Sequence, residues 1–507
     1  MPTQFPKVLV VSFDGGVWTN LLPLANSGIM PNLKSLIECG AHANLESTIP
    51  PVTPPAWTAF MTGCNPGKSG VFDFYEHQEG TYKPALTTSK SIQTKTLWKI
   101  LSDSGIRVGI IDVPINYPPP EVNGFVISGW ERPSNKKVFT YPPELGDKLI
   151  KKLGDYPICL RTFDRQGTKD IDFLNCLIEI TQKVGDAALW LLETDPTDFF
   201  MVHFQTTDII QHSFWKEIAT FDFNSTDPTL KKIWEFYRVL DKYLGGLIDK
   251  VNSKGTFFLV SDHGFGPVKR RLAMNVWLME NGYLKLKQDL GTQIRTGVKS
   301  TAIKMVNKVD ALARLKTRIK QKSEEGLDQR IIVPRAAYDP INYQETKVFS
   351  GIGTVYGTAQ LNLIGREAEG IVPPQEAESL KNEIIKKLIN VKDPISGELF
   401  IRAVYKKEEV FNGRALNKIP DLIIIPNPGF YLFSGTGERA LFHEAHPLSF
   451  GNHISDGIIA VNGSQAGNID LSLPRIVDMA PTIMNLFNLK PPGYIDGKNL
   501  YKNFILN

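Results

Sequence analysis

The sequence predicts an α/β fold built on a largely parallel sheet. Short runs of apolar and β-branched residues recur along the chain and alternate with longer segments of helical periodicity. Several of these runs are apolar throughout, which is typical of strands covered on both faces. A chain of 507 residues is long enough for one large α/β core with insertions.

Each predicted element rests on its own pattern. KVLVVSF and TFFLV are continuous apolar runs that stop at polar residues, and the helix predicted after the first of them begins with Pro31 and is followed by Gly40. The predicted strands are Lys7–Phe13, Arg107–Pro114, Asp198–Phe204, Thr256–Val260, Gln360–Ile364, Leu399–Val404, Pro420–Pro426 and Ile458–Val461. The predicted helices are Pro31–Cys39, Ala56–Met61, Thr94–Ser104, Pro143–Leu153, Ile171–Leu192, Leu230–Val251, Pro374–Leu388 and Pro474–Phe487.

Composition narrows the class of protein. Hydrophobic residues make up 42% and charged residues 22%, as in an ordinary globular protein, and a net charge of +4 gives no reason to expect a nucleic-acid polymer as partner. The four cysteines show no C-x-x-C spacing, so we expect reduced, mostly buried thiols and a cytoplasmic protein. The N-terminal apolar run is predicted to be a strand rather than a signal peptide, and no apolar stretch has membrane-spanning length.

Three predicted strands end in side chains that bind metals. Asp14 follows the first, Asp208 and His212 follow the third, and Asp262-His263 follows the fourth. Carboxylates and imidazoles are ligands for zinc and related ions, and ligands bind beyond the carboxyl ends of strands in open α/β sheets. Each motif alone has a plainer interpretation, either an Asp in a turn or an i,i+4 pair on a helix surface.

Two further residues have chemistry that depends on their surroundings. Thr53 precedes Pro54-Pro55 and a helical run, so it is predicted to lie at the positive end of a helix dipole, which favours an alkoxide or phosphate ester; the alternative is an ordinary N-cap. His453 lies in a Gly-flanked polar loop before a strand, whereas His203, inside a strand, is predicted to be a core histidine.

Two basic segments have open interpretations. Lys269-Arg270-Arg271 either binds an anionic substrate or forms a solvated loop. Residues 285–322 contain eleven Lys or Arg and two Asp, a local charge of +9, with apolar residues at roughly helical spacing. Such a segment can cover an active site, lie on an anionic membrane surface or form a solvated helical hairpin.

These segments suggest a division of the chain. Residues 1–284 are predicted to form the first part of the catalytic core, with a lid-like insertion at about 130–190. Residues 285–335 are predicted to be a basic amphipathic helical insertion, and residues 336–507 the second part of the core.

The order of these motifs resembles the alkaline phosphatase superfamily, and within it the type I phosphodiesterase/nucleotide pyrophosphatase branch. The resemblance extends over most of the chain. Within the branch, the sequence is most similar to a subgroup of predicted phosphohydrolases and phosphomutases. The matching stretches are MPNL, TPPAWTAFMTG, NPGKSGVFDF, SDHGFGP, NLIGREAEGIV, IPDLIII and NHISDGI. The resemblance implies a three-layer α/β/α sandwich with inserted helical segments.

The resemblance also implies a site with two divalent metal ions, for which zinc is favoured over manganese. One ion would be held by Asp208, His212 and His453. The other would be held by Asp14, Asp262, His263 and the oxygen of Thr53. Thr53 would be the nucleophile and would form a phosphothreonine intermediate.

One departure from that branch concerns the phosphoryl group. Nucleotide pyrophosphatases of the branch carry an Asn about twenty residues after the nucleophile, and residues 71–74 here are Val-Phe-Asp-Phe. Backbone N–H groups after Thr53, or a basic side chain, would have to replace it. The aromatic residue that stacks on adenine has no secure match either, although Trp57, Phe74 and Tyr75 are possible walls.

We therefore expect a metal-dependent phosphoester hydrolase, a phosphodiesterase or phosphatase, acting on a small-molecule substrate. A phosphomutase or phosphoglycerol-type transferase with the same site is the alternative. A second alternative is a non-catalytic protein that binds anionic lipid or protein through residues 285–322, but the presence of every expected ligand argues against it.

Overall fold

The computed structural model describes residues 5–78, 80–129, 131, 138–156, 169–251, 254–287, 338, 340–351, 355–436, 438, 440–445 and 451–502. At its centre is an eight-stranded sheet. Its strands are β1 (Val8–Phe13), β2 (Ala41–Glu46), β3 (Val108–Ile111), β4 (Gly124–Ile127), β5 (Thr140–Tyr141), β6 (Phe199–Phe204), β7 (Thr256–Val260) and β8 (Asp456–Gly463).

The order of strands across this sheet is β2-β8-β7-β1-β6-β3-β4-β5. The five strands from β7 to β4 are parallel to one another, while β8 runs antiparallel to β7, and β5 runs antiparallel to β4. In register, Ser12 on β1 lies opposite His203 on β6 and Val260 on β7. The largely parallel sheet predicted from the sequence is confirmed.

Helices cover both faces of the sheet and produce three layers. Alternate residues of β1 belong to different cores, because Leu9 and Val11 pack in one and Val8 and Val10 in the other. The helices of the first layer are Trp18–Asn26, Pro31–Cys39, Glu144–Leu153, Asp170–Thr194, Thr206–Ile218 and Pro228–Ile248. Those of the other layer are Thr53–Thr62, Leu97–Asp103 and Met479–Leu486.

The later part of the chain adds a second sheet. Its four strands, in spatial order, are Val348–Phe349, Gly357–Leu361, Leu422–Pro426 and Ile401–Lys406, all antiparallel to their neighbours. It shares a separate core with the helices Met274–Glu280 and Ala377–Leu388. Smaller sheets pair Arg270–Ala273 with Phe430–Phe433 and Phe442–Glu444, Gly264–Pro267 with Gly451–Ile454, and Tyr75–His77 with Pro84–Leu86.

The predicted elements differ from the observed ones mainly at their ends. Gln360–Ile364 was expected as a strand, but the strand is Gly357–Leu361, because residues 357–359 pair with Leu422–Pro426 although their side chains are small or polar. Beyond Lys287, the basic segment 285–322 lies outside the described residues, as do residues 157–168 of the expected lid-like insertion. The division of the chain into core parts and insertions stays a prediction.

No helix in the described ranges is both long and apolar enough to cross a bilayer. The expectation of mostly buried thiols is wrong for two of the three described cysteines. Cys39 is exposed and Cys176 is half-buried, whereas Cys64 is buried, and all three are free thiols. Cys39 ends the helix Pro31–Cys39 on its solvent side, which explains its exposure.

Candidate active site

Three adjacent strands end at one edge of the central sheet, and each is followed by ligand-type side chains. Asp14 follows β1, Asp262 and His263 lie just beyond β7, and the helix Thr206–Ile218 follows β6. Because β1 lies between β6 and β7 and all three are parallel, the carboxyl ends of the strands meet at this edge. The order of the strands therefore places Asp14 between the other two groups.

The first group, which we call the Asp14 cluster, consists of Asp14, Asp262 and His263. The Nε2 atom of His263 lies 3.5 Å from Asp14 Oδ1 and 3.2 Å from Asp262 Oδ2. All three side chains are fully buried. Gly15 helps to hold the arrangement, since its N–H donates to Asp262 Oδ1 over 3.2 Å.

The second group, the Asp208 cluster, consists of Asp208, His212 and His453. The first two occupy one face of the helix that follows β6, four residues apart. His453 arrives from a distant part of the chain, because the strand Gly451–Ile454 pairs with Gly264–Pro267 and places His453 opposite Phe265. Asp208 Oδ1 lies 3.4 Å from His212 Nε2 and 3.2 Å from His453 Nε2.

Hydrogen bonds fix the orientation of two of these imidazoles. Nδ1 of His453 lies 3.3 Å from the carbonyl of Pro51, and Nδ1 of His263 lies 3.1 Å from the carbonyl of Gly264. A carbonyl only accepts, so each Nδ1 carries a proton, and the Nε2 atom of each ring faces its cluster. Such a hydrogen bond on the far nitrogen is the usual support of a metal-binding histidine.

The clusters contain acceptors without donors. The atoms Asp14 Oδ1, Asp208 Oδ1 and Asp262 Oδ2 are buried and accept no hydrogen bond from the described residues. Nε2 of His212 lies 3.0 Å from Nε2 of His453, so ring nitrogens and carboxylate oxygens of the ligand type converge in this cluster. In each cluster the three ligand atoms lie within 4.8 Å of one another. The donor set of carboxylates and imidazoles fits a divalent ion in both places.

Electrostatics at the site follow from burial and from like charges close together. Burial and the nearby Asp208 carboxylate raise the pKa of Asp14 well above its usual range, and burial and Asp14 do the same to Asp262. Burial and the neighbouring His453 ring hold the pKa of His263 well below its usual range. Burial alone would raise the pKa of Asp208, but the adjacent imidazoles of His212 and His453 reverse the shift and lower it.

Thr53 lies beside the Asp14 cluster. Its Oγ1 is 3.3 Å from Nε2 of His263, and the side chain is almost completely buried. The expectation that Thr53 is an N-cap is wrong, because the helix Thr53–Thr62 begins at Thr53 itself and Val52 occupies the cap position. Its hydroxyl makes no capping hydrogen bond and faces the cluster instead.

The helix offers few free N–H groups near Thr53. Pro54 and Pro55 have no N–H, and the N–H of Ala56 donates to the carbonyl of Val52. Backbone N–H groups directly after Thr53 therefore cannot hold a phosphoryl oxygen, as we had considered from the sequence. The sequence left two candidates for the role of the missing Asn, backbone N–H groups and a basic side chain. Only the basic side chain remains.

A cavity of about 410 Å³ opens in front of Thr53 and the Asp208 cluster, and Arg271 lines it. Nε of Arg271 donates to the carbonyl of Glu444, and the guanidinium lies over the ring of Phe433. Tyr431, opposite Arg271 on the paired strand, also lines the cavity, and burial raises its pKa to about 12. Arg270, in contrast, is paired with Asp393 and Glu444.

Other candidate residues have different positions from those expected. Trp57 is no substrate wall, because it is fully buried and its indole N–H points at Asp14 Oδ2, 3.5 Å away. Phe74 lines the cavity, whereas Tyr75 lines a neighbouring one. Asp73, at the position of the missing Asn, is buried and accepts hydrogen bonds from Tyr356 and from the N–H of Phe74.

His203 is a buried histidine inside β6, as predicted, but it also contacts the site. Its Nε2 lies 3.2 Å from Asp14 Oδ2, and its Nδ1 lies 2.9 Å from the hydroxyl of Ser12. Burial lowers the pKa of His203 to about 4, so the ring is neutral. The sequence contained a signal for this contact. Ser12 is two residues before Asp14, and His203 is two residues before Gln205, where its strand ends, so both side chains lie near the same edge of the sheet.

The fold resembles that of known enzymes. Phosphonoacetate hydrolase from Sinorhizobium meliloti 1021, in complex with phosphonoformate, superimposes with a TM-score of 0.58 at 16% identity, covering 94% of this chain and 95% of that one. Human ectonucleotide pyrophosphatase/phosphodiesterase 5 gives 0.51 at 14% identity, covering 98% and 100%. An inactive threonine-to-alanine variant of the murine enzyme, in complex with AMP, gives 0.50 at 13% identity, with 96% of both chains covered. A search of curated protein sequences finds no significant match.

The overall architecture is that of the alkaline phosphatase superfamily, a class of phosphoester hydrolases and related enzymes. The sequence profile of type I phosphodiesterases/nucleotide pyrophosphatases matches residues 8–453. The chain belongs to this family, and it is a phosphoester hydrolase.

Proposed function

We propose that the protein hydrolyses phosphoesters through Thr53 as nucleophile, with one divalent cation held by the Asp14 cluster and Thr53 and another held by the Asp208 cluster. The observation that carries this proposal is the position of the Thr53 hydroxyl, 3.3 Å from a buried imidazole of one cluster. The inactive threonine-to-alanine variant of the murine relative supports the same role for Thr53.

Each residue has a defined task in this proposal. Thr53 Oγ1 attacks phosphorus, the bond to the ester oxygen breaks, and the phosphoryl group becomes attached to Thr53. Water then attacks the same phosphorus and restores the hydroxyl. The N-terminus of the helix Thr53–Thr62 favours the negative charge that develops on Oγ1. Bound divalent cations would supply the positive charge that makes an adjacent hydroxyl acidic and polarises phosphoryl oxygens.

Arg271 replaces the missing Asn. Its terminal nitrogens have no hydrogen-bond partner among the described residues, and it lines the same cavity as Thr53. A guanidinium can donate two parallel hydrogen bonds to phosphoryl oxygens. Phe74 also lines this cavity, as does Gln205, which is hydrogen-bonded to His203.

Zinc fits the mixed set of imidazoles and carboxylates best, and manganese is the alternative. The substrate would be a small phosphoester, as AMP is a ligand of the murine relative. Purified protein should contain about two ions per chain. Matched assays with Zn²⁺ and Mn²⁺, on a chromogenic phosphodiester and on the corresponding monoester, decide both the ion and the type of ester.

The decisive experiment compares Thr53→Ala with Thr53→Ser. We expect Thr53→Ala to lose at least about a thousandfold in kcat, whereas Thr53→Ser keeps a hydroxyl and part of the activity. Acid quenching during turnover, followed by mass spectrometry, should find phosphate on Thr53 of the wild type. Full activity of Thr53→Ala with an unchanged metal content would exclude this mechanism.

A separate proposal concerns residues 285–322. Their local charge of +9 suits attraction to an anionic membrane surface. Co-sedimentation with anionic vesicles should be strong at low salt and weak at high salt. Equal sedimentation with neutral and anionic vesicles would contradict it.

A further inference from the structure

A second cavity, of about 110 Å³, opens beside the Asp208 cluster. We call it the apolar slot. The slot and the cavity in front of Thr53 adjoin at the site, because they share five lining residues: Val268, Val355, Tyr431, Asn452 and His453. Nothing in the proposed reaction uses the slot.

The slot has mixed walls, and its polar lining residues include Thr48, Arg402, Asn427, Asn452 and Ser455. Its apolar walls are held in place by the fold. They include Ile49, Val268, Val355, Ile425 and Phe430. Val268, Val355 and Phe430 are each at least nine-tenths buried, so the slot is bounded by core side chains. None of the described residues that line it carries a carboxylate. A compact apolar group gains by packing against these apolar side chains. Thr53, Asp208 and His212, which the proposed reaction uses on the phosphoryl group, line only the other cavity.

The dimensions indicate what the slot can hold. Apolar cavities of about 150 Å³ in proteins bind benzene, and the slot has a somewhat smaller volume but is partly open. A single ring or a short branched chain, attached to a phosphoryl group in front of Thr53, would reach the slot past His453.

We propose that the apolar slot binds the organic group of the phosphoester and selects substrates in which this group is compact and apolar. The proposal rests on the proposed function, since it takes the phosphoryl group to lie in the cavity in front of Thr53. It names a substrate class, esters of aryl or branched alkyl alcohols, that family membership alone does not define.

Non-hydrolysable phosphonates test the slot without turnover. Binding of phenylphosphonate and methylphosphonate to metal-loaded protein is measured by calorimetry. We expect phenylphosphonate to bind at least about tenfold more tightly, because only its ring fills the slot. Equal affinities, or no measurable binding of either compound, would overturn the proposal.

A pair of variants assigns the preference to the slot. Ile425→Trp fills it, and Ile395→Trp makes the same change at a side chain that is 74% exposed. We expect Ile425→Trp to bring the two affinities within about twofold of each other and to leave methylphosphonate binding nearly unchanged, while Ile395→Trp keeps the preference. A preference that survives in folded Ile425→Trp would contradict us.

Ile425→Ala provides a second readout if Ile425→Trp does not fold. Enlarging the slot should improve binding of naphthylphosphonate relative to phenylphosphonate, and an unchanged ratio would again oppose the proposal. The measurement also separates the two hypotheses. If phosphothreonine forms but phenylphosphonate is not preferred, the slot proposal is rejected and the proposed function stands. If phenylphosphonate is preferred but no phosphothreonine forms, the Thr53 mechanism is rejected and the slot proposal stands.

Discussion

Single residues at the site are held by contacts with partners both near and distant in the chain. The Nδ1 atoms of His263 and His453 are fixed by the carbonyls of Gly264 and Pro51. The sequence predicted which residue types would meet, because each ligand follows a strand or lies in a polar loop. It could not predict the tautomers, since the Pro51 carbonyl is 402 positions away from His453.

Arg271 provides a test at the residue scale. We expect Arg271→Met to lower kcat/KM for phosphoesters by about 10- to 100-fold, because a charge-assisted hydrogen bond to a phosphoryl oxygen is lost. Lys269→Met is the matched control, since it removes the same charge from an exposed side chain two positions away. Steady-state kinetics measure both, and equal losses would indicate a general field effect rather than contact.

Asp73 provides a second test, on stability. Burial raises its pKa to about 7, whereas the same carboxyl in the unfolded chain titrates near 3.8. Between these values the native state keeps a proton that the unfolded state has lost, so this group makes the free energy of unfolding fall as pH rises from 4 to 7. The slope is at most about 1.4 kcal/mol per pH unit.

Asp73→Asn removes this titration. We expect the variant to be less stable than the wild type at pH 5, because one amide oxygen replaces two acceptors for Tyr356 and Phe74. Its deficit should shrink or change sign by pH 8. Urea unfolding at several pH values measures this, with the exposed Asp249→Asn as control. A deficit that is constant with pH would show that Asp73 is ionised throughout.

Among the secondary-structure elements, the helix Thr53–Thr62 shows what the local sequence could predict and what it could not. The two prolines predicted its start to within a few residues, because proline is tolerated only in the first turn. They did not show that Thr53 is inside the helix with its hydroxyl directed at His263 rather than at a backbone N–H. That depends on Val52, which is extended and buried against the core around Tyr356.

The close packing of the turn after β1 can be tested by substituting Gly15 in that turn, with Gly28 elsewhere as the control. Gly15 and Gly28 both have positive φ, 65° and 81°, so alanine at either is strained by about 1 kcal/mol. A Cβ at Gly15 would lie 2.9 Å from Phe265 Cδ2, whereas one at Gly28 meets nothing within 4 Å. We expect Gly15→Ala to lose a further 1–3 kcal/mol or so of unfolding free energy.

Gly15→Ala should also weaken metal binding, since Gly15 adjoins Asp14 and its N–H donates to Asp262. Metal titration and denaturant unfolding of both variants measure the two effects. Equal stability and equal metal affinity for Gly15→Ala and Gly28→Ala would mean that Phe265 yields without disturbing the site.

At the scale of the whole molecule, the parts of the site that the sequence missed are those that depend on the second sheet. Periodicity predicted the central sheet and its strand ends, which carry the two clusters. The apolar slot and the Arg271 side of the cavity combine residues 266–271 and 355–431 with residues 48–53 and 452–455, and no local pattern relates such distant segments. Sequence reasoning therefore predicted the residues of the two clusters better than the cavities beside them.

If the buried clusters bind cations as proposed, metal binding is linked to the stability of the whole fold. Asp14, Asp208 and Asp262 are buried, and at least one oxygen of each has no donor among the described residues. Without a cation their mutual repulsion disfavours the folded state, and with a cation the same atoms become ligands. An ion that binds only the folded state at 100 times its Kd adds about 2.7 kcal/mol per site.

We therefore expect chelation to lower the apparent Tm by several degrees and Zn²⁺ to restore it with a concentration dependence. Asp14→Asn should raise the Tm of the chelated protein, because a buried carboxylate is neutralised, and should gain less from added Zn²⁺ than the wild type. Asp249→Asn, which removes an exposed charge, should behave like the wild type. Scanning fluorimetry with and without chelator measures the Tm of all three proteins. If neither chelator nor Zn²⁺ changes the Tm of the wild type, the expected link between the clusters and the stability of the fold is contradicted.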